Sequence, residues 1–254
     1  MRIIIGGALG RMGREVARAA LEAGMDIACG VDIAYQGQPM DFPMVAAYAD
    51  CKATADVLVD FSRADGLPAL LEYITTTGLP SVLCTTGYTD AEVAAIHVAA
   101  ARVAILRSAN MSLGINVLQR LVVMAARALG TGYDVEIVEK HHRMKLDSPS
   151  GTAGMLYEAL QSAREYDSPM VYGRKGRAEK RAVGEVGIHA VRGGTVTGEH
   201  EVGFYGNAEE IILTHRAESR ALFAEGAVRA AAFLAGKPAG LYTMQDVVTQ
   251  VLGK

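Results

Sequence analysis

The feature that most constrains this chain is the order of its first 110 residues, where short apolar runs alternate with segments of helical period. RIIIGG, DIACGVD, VLVDFS, PSVLCTTG and VAILRSAN end in Gly, Asp, Ser or Asn, and the helical segments REVARAALEAG, LPALLEYITTTG and DAEVAAIHVAAAR lie among them. Strands buried on both faces read as near-continuous apolar runs, so this alternation predicts a parallel sheet covered by helices on each side. The expected fold class is α/β, a Rossmann-type doubly wound sheet.

After Asn110 the pattern changes. GINVLQRLVVMAARALG reads as a long apolar helix, YDVEIVEK as an alternating strand and TAGMLYEALQSA as a further helix. From Lys180 the chain reads AVGEVGIHAVRGG, TVTGEHEVGFYG and EEIILTHRAES, strand-like runs broken by glycine that suggest antiparallel pairing. A second, α+β domain follows. The closing LFAEGAVRAAAFLAGKPAGLYTMQDVV is helical again and is expected to return to the first domain. The division expected is a dinucleotide-binding domain over 1–111, a substrate-binding and oligomerisation domain over 112–220, and a returning segment over 221–254.

With 254 residues, half of them hydrophobic, the chain can bury a full core without disulfides. A net charge of -3 argues against a general nucleic-acid or membrane-surface binder, which would carry a basic excess. Cys29, Cys51 and Cys84 sit among apolar or small residues, which suits reduced core thiols. Met1 leads directly into a strand-like run rather than a signal peptide, and no apolar stretch is read as approaching membrane-spanning length, so a cytoplasmic location is expected.

Gly7, Gly10 and Gly13 in GALGRMG follow the first strand and open a helix. There glycine lets the backbone approach a pyrophosphate, and the helix N-terminus favours its charge. Leu9 stands where the commoner fingerprint has its middle glycine, and a Walker A reading fails for want of a Lys-Ser/Thr pair. Asp32 ends the next strand at about the distance expected for a carboxylate that reads adenosine ribose hydroxyls. A carboxylate repels a 2'-phosphate, and Ile33-Ala34 offers no cation, so NADH is favoured over NADPH; Arg11 and Arg14 leave NADPH open. Further strand ends at Ser62-Arg63, Thr85-Thr86-Gly87 and Ala109-Asn110-Met111 should line the same edge.

Residues 139–153 read EKHHRMKLDSPSGTA. His141, His142, Arg143 and Lys145 crowd basic groups within five residues, which points to an anionic substrate. Ser150-Gly151-Thr152 then offers a capping hydroxyl and backbone N–H groups at a helix start, an anion site suited to a carboxylate. Glu136 and Glu139 are candidates to orient the basic groups. A solvated basic loop remains the bland alternative. Metal binding has little support, since the histidines are neighbours without an obvious third ligand, and no metal is expected. Nucleophilic catalysis has little either, because Ser150 lacks a G-x-S-x-G elbow and Cys84 a nearby base.

EIVEKHHRMKLDSPSGTA closely resembles the signature of the 4-hydroxy-tetrahydrodipicolinate reductase (dihydrodipicolinate reductase) family. GALGRMGRE, VDFSR, CTTGY, SANMSLGIN, GEVGIHAVRGGTVTGEHEV, THRAESR and GLYTMQDV extend the resemblance along the whole chain. It implies that His141 is the catalytic acid/base and Lys145 the proton donor, and that His142 with Gly151 and Thr152 binds the substrate carboxylates, Ser150 beside them and Arg220 adding a basic group. It places Gly7, Ala8, Leu9, Gly10, Arg11 and Met12, Thr85 and Thr86, and Ser108, Ala109, Asn110 and Met111 on the dinucleotide. Gly13, Asp32, Arg63 and Cys84 are counted with the same edge. It also implies a Rossmann domain plus a mixed-sheet domain that forms a homotetramer, with NADH or NADPH reducing a small dicarboxylate. Cys84 stands where glycine is common in the family, Met111 where an aromatic is common, and Met144 where another histidine can occur. Competing functions are a dinucleotide sensor without turnover and a dehydrogenase of amino-acid aldehydes. Because cofactor and substrate motifs fall in different domains, closure about junctions near Met111-Ser112 and Arg220-Ala221 is expected.

Overall fold

A computed structural model describes residues 1–176 and 180–253, and the chain divides into two compact units, 1–113 with 221 onward and 114–220. The first unit begins β1 (Arg2–Gly6), α1 (Arg11–Glu22), β2 (Asp26–Val31), β3 (Met44–Val45), β4 (Val57–Asp60), α2 (Leu67–Thr77), β5 (Ser81–Leu83), α3 (Asp90–Ala100) and β6 (Ala104–Arg107). The second unit follows with α4 (Leu113–Leu129), β7 (Asp134–His141), α5 (Gly151–Ser162), β8 (Met170–Tyr172), β9 (Val186–Arg192), β10 (Gly198–Tyr205) and β11 (Glu210–Ala217). The chain then returns to the first unit as α6 (Ala221–Leu234), β12 (Gly240–Tyr242) and α7 (Met244–Leu252).

The first sheet runs β12-β6-β5-β4-β1-β2-β3 with every pair parallel. Its strands bury both faces, as continuous apolar runs should. Ile3, Ile5, Val57 and Val59 pack with α1 and α6, while Ile4 and Leu58 pack with Leu70 and Ile74 of α2 and Ile96 of α3. Each such side chain contributes roughly 2 kcal/mol by leaving water. A capping box fixes the start of α3, where Thr89 accepts from the Glu92 N–H and the Glu92 carboxylate takes the Thr89 N–H at 2.7 Å. Sequence reading missed β3 and β12, the latter inside the closing segment expected to be helical. Both are short edge strands, with too few residues to display an alternation.

The second sheet runs β11-β10-β7-β9-β8 and is mixed. β10 lies antiparallel to β7 and β11, whereas β9 is parallel to both β7 and β8. The expected antiparallel pairing is therefore corrected for AVGEVGIHAVRGG. Helix α5 intervenes between β7 and the strands that follow, so the chain re-enters the sheet in the same direction.

Ile115, Leu118 and Val122 of α4 and Leu156 and Leu160 of α5 cover one face of this sheet, against Val135, Ile137, Val202 and Phe204. By length and composition Leu113–Gly132 is apolar enough to cross a membrane, which corrects the expectation that no stretch approaches that length. Its inner stripe belongs to the second core. On β7 the alternation buries Val135, Ile137, Glu139 and His141 toward the helices, with Glu136, Val138 and Lys140 on the opposite face.

Candidate functional site

The strand order of the first unit reverses between β1 and β4, and ligands of such sheets bind outside the carboxyl ends at that crevice. Gly7 turns there with φ +70°, and a Cβ on Gly13 would run into the Gly7 carbonyl. Gly10 is the N-cap of α1 with no side-chain cap, and the first turn of that helix holds no acid. Backbone N–H groups at its N-terminus thus face no competing side-chain oxygen, and the glycine cradle fits a dinucleotide pyrophosphate.

Asp32, just past β2, is half-buried and already at work in this loop. Its Oδ2 accepts the Leu9 N–H and its Oδ1 the Ala34 N–H, each at 2.9 Å. The residue at the unusual position of the glycine motif therefore spends its N–H on Asp32. Arg14 steadies the same turn by donating from Nε to the Leu9 carbonyl at 3.1 Å. Gly7, Ala8, Leu9, Gly10, Arg11 and Met12 are all brought to this edge, Ala8 buried in the core and Arg11 exposed.

The other strand ends differ in what they offer. Arg63 is exposed and paired with Asp65 at 3.0 Å. Thr85 is buried and Thr86 exposed. Ser108 Oγ donates to the Asn110 carbonyl at 2.8 Å, and Asn110 Oδ1 accepts the Ser112 N–H at 2.9 Å, which sets the turn around the exposed Ala109. The side chains of Cys84 and Met111 lie in the apolar core, so any contact they make with a dinucleotide runs through backbone. Burial also pushes the Cys84 thiol well above its ordinary range, which leaves it inert as a nucleophile.

In the second unit the crowded stretch becomes a connected site. His141 closes β7, its Nδ1 2.6 Å from Glu139 Oε2. Glu139 is fully buried and accepts from both terminal guanidinium nitrogens of Arg192 at 2.7 Å each. Its Oε1 also accepts the Ser150 N–H at 3.0 Å. Ser150 Oγ caps α5 by accepting the Ala153 N–H at 3.1 Å, and lies 2.9 Å from Nε2 of His200. The His200 ring meets His141 edge to face, with centroids 5.1 Å apart. Lys145 pairs with Asp147 at 2.9 Å, and the Asp147 carbonyl takes a bond from Arg192.

Electrostatics follow from that arrangement. Burial lowers the pKa of His141, nearby Lys145 and Arg192 add to the effect, and the Glu139 hydrogen bond opposes it. Burial again, with His141 beside it, drives His200 down to about 4. Glu139 is held below its ordinary value although burial works against it, because Arg192 and His141 donate to it. With a carboxylate on Nδ1, the neutral His141 carries its proton there and presents Nε2 as an acceptor.

One expectation is corrected. Glu136 does not orient the cluster, because it lies on the opposite face and binds Arg174, Arg181 and His189. Ser150 is 2 % exposed, with its N–H and Oγ engaged in the turn that begins α5 beside Gly151 and Thr152. Arg143 and Arg220 are exposed, Arg220 at the very end of the unit, and His142 is half-buried beside His141. Sequence reading missed Arg192 and His200. An inward glutamate on an alternating strand does signal a need for hydrogen-bonding or charged partners, without marking Arg192 as the one that supplies them.

Comparison with known proteins joins the two halves. Residues 1–111 match the family model described as dihydrodipicolinate reductase, N-terminus, and residues 114–248 match dihydrodipicolinate reductase, C-terminus. The chain is 46% identical to a 4-hydroxy-tetrahydrodipicolinate reductase of Caldanaerobacter subterraneus subsp. tengcongensis, with 98% of each chain covered. It is 45% identical to one of Rubrobacter xylanophilus, again with 98% of each covered. The fold matches a dipicolinate-bound dihydrodipicolinate reductase from Paenisporosarcina sp. TG-14 with TM-score 0.80 and 21% identity, covering 96% of this chain and 97% of that one. A glycine cradle for a pyridine dinucleotide, a buried Glu139–His141 pair beside a lysine, and similarity over the full length place the chain in the dihydrodipicolinate reductase family.

Proposed function

We propose that His141 and Lys145 supply the proton chemistry with which this NAD(P)H-dependent 4-hydroxy-tetrahydrodipicolinate reductase of lysine and diaminopimelate biosynthesis makes tetrahydrodipicolinate and water. The observation that carries this reading is the bond from His141 Nδ1 to the buried Glu139, which fixes the tautomer and leaves Nε2 for the substrate. Loss of the 4-hydroxyl as water gives a conjugated imine. The reduced nicotinamide, when bound, supplies the hydride to a ring carbon. Lys145 gives the proton to the neighbouring carbon, and the cationic surroundings stabilise the negative charge that accumulates before it arrives. His142, Gly151, Thr152 and Arg220 hold the two carboxylates, a role supported by the N-terminus of α5 and by the dipicolinate named with the Paenisporosarcina protein.

Division of labour follows the motifs, with the dinucleotide on 1–111 and 221–254 and the substrate on 112–220. NADH is the preferred reductant, read by Asp32. Support for a homotetramer built on the second sheet comes from the face opposite α4 and α5, where Val191 stays 48% exposed on β9; light scattering tests it. A cytoplasmic location is supported by three buried cysteines that remain thiols. NADH oxidation with freshly generated substrate tests the activity, beside a panel of amino-acid aldehydes. Folded protein that binds NADH without turnover would instead be a sensor, and faster reduction of an aldehyde would replace the substrate.

A further inference from the structure

We infer that Asp60 is a positioning residue that sets the hydrogen-bonding polarity of Thr85, so that Thr85 accepts from a donor group of the dinucleotide and disfavours a phosphate. The inference rests on the reading that Thr85 lies on the cofactor.

Asp60 ends β4 in the middle of the sheet, in register with Gly6 on β1 and Leu83 on β5. It is fully buried, and no cation pairs with it among the described residues. Hydroxyl and amide donors surround it instead. Oδ1 accepts from Tyr48 Oη at 2.9 Å and from the Ser62 N–H at 3.3 Å. Oδ2 accepts from Thr85 Oγ1 at 2.9 Å. One carboxylate thus ties together three of the segments that carry the sheet's carboxyl edge. Burial raises its pKa, and the donors from Ser62, Thr85 and Tyr48 oppose that rise.

Polarity follows from counting protons. Thr85 has one hydroxyl proton, and its two protein acceptors are Asp60 Oδ2 and the Ser62 carbonyl, the latter at 3.2 Å. Ionised Asp60 and the carbonyl are acceptors only, so the proton must point at them. Of the two lone pairs of Oγ1, the neighbouring Tyr88 hydroxyl can fill one by donating, which leaves one for a further partner. Any further partner of Thr85 must therefore donate. On a dinucleotide the available donors are the nicotinamide carboxamide N–H and the ribose hydroxyls, whereas phosphate oxygens would meet lone pair with lone pair.

Asp60→Asn tests this by reversing one group at constant shape. The amide nitrogen would donate to Oγ1 and fill the lone pair left for the dinucleotide, while the Thr85 proton passes to the Ser62 carbonyl. NADH fluorescence titration of the full-length protein should show the dissociation constant rising about three- to tenfold in Asp60→Asn, the scale of one hydrogen bond. Thr85→Val should show a similar rise, and Thr85→Ser should keep the native value. Since Asp60 acts through Thr85, adding Asp60→Asn to Thr85→Val should change nothing further. With reduced acetylpyridine adenine dinucleotide, which lacks the carboxamide N–H, a Thr85→Val penalty that vanishes identifies the carboxamide as the donor, and one that persists identifies a ribose hydroxyl. Should Thr85→Val weaken binding while Asp60→Asn does not, or should the two losses add, the inference is overturned. An unchanged constant in Thr85→Val would sink the placement of Thr85 on the cofactor itself.

Discussion

Arg192 closes both Nη1 and Nη2 on Glu139 at 2.7 Å each, and Glu139 turns the same Oε2 toward His141 Nδ1. A carboxylate with no solvent exposure is thereby kept ionised and kept in place. Removing the cation should be costly, because it strands a buried charge. Arg192→Met is expected to lose about 3 kcal/mol or more of stability, and Arg192→Lys an intermediate amount, since lysine keeps the charge without the two-pronged geometry. Urea unfolding of both variants measures this. A methionine variant as stable as the parent would mean that the pair is not the anchor of the site.

That pair also marks how far the sequence could be read. The parallel sheet was legible because β1, β4 and β5 are buried on both faces and so read as apolar runs, and Ser150 was legible as a cap because its type and place before α5 are a local signal. Arg192 and His200 were not, since each reaches Glu139, His141 or Ser150 only through pairing of β9 and β10 with β7. Register between distant strands leaves no mark in local composition. Glu136 misled for a related reason. It lies close to Glu139 in sequence, and only the period of the strand sends the two to opposite faces.

Roles within the cluster separate by kinetics. His141→Ala and Lys145→Ala should each lower kcat by roughly 10²–10⁴ and leave NADH binding nearly intact, as expected of acid and base groups. Thr152→Val should instead raise KM more than it lowers kcat, since it weakens the hold on a carboxylate in the ground state. Near-normal kcat in His141→Ala would pass the acid/base role to His142.

His200 makes stability depend on pH. Its pKa falls from an ordinary 6.5 to about 4 on folding, so below 6.5 the unfolded chain binds a proton that the folded chain refuses. The stability it permits is complete above 6.5 and is lost as pH falls toward 4, about 3 kcal/mol in all. His141 shifts in the same direction and adds to the loss. Urea midpoints taken across that window should fall steeply for the parent and less steeply for His200→Phe. Identical slopes would show that His200 titrates normally.

Asp32 connects the glycine loop to the choice of cofactor. Its oxygens hold the Leu9 and Ala34 N–H groups, yet each keeps a lone pair with which to accept a ribose hydroxyl. A 2'-phosphate would bring about two negative charges against it, a like-charge contact that costs several kcal/mol where water is excluded. Exposure moderates that cost, because screening acts over about 8 Å at physiological salt and Arg11 is exposed on the same loop. NADH is therefore expected to serve at least as well as NADPH. Asp32→Ala releases the Leu9 N–H as well as the charge, so kcat/KM should fall for NADH while the ratio of NADPH to NADH rises. Steady-state kinetics with both cofactors on one substrate preparation decides the matter. A parent protein preferring NADPH more than about tenfold, a free-energy difference of ~1.4 kcal/mol, or a variant with an unchanged ratio, would leave Asp32 as a brace for the loop and no reader of the ribose.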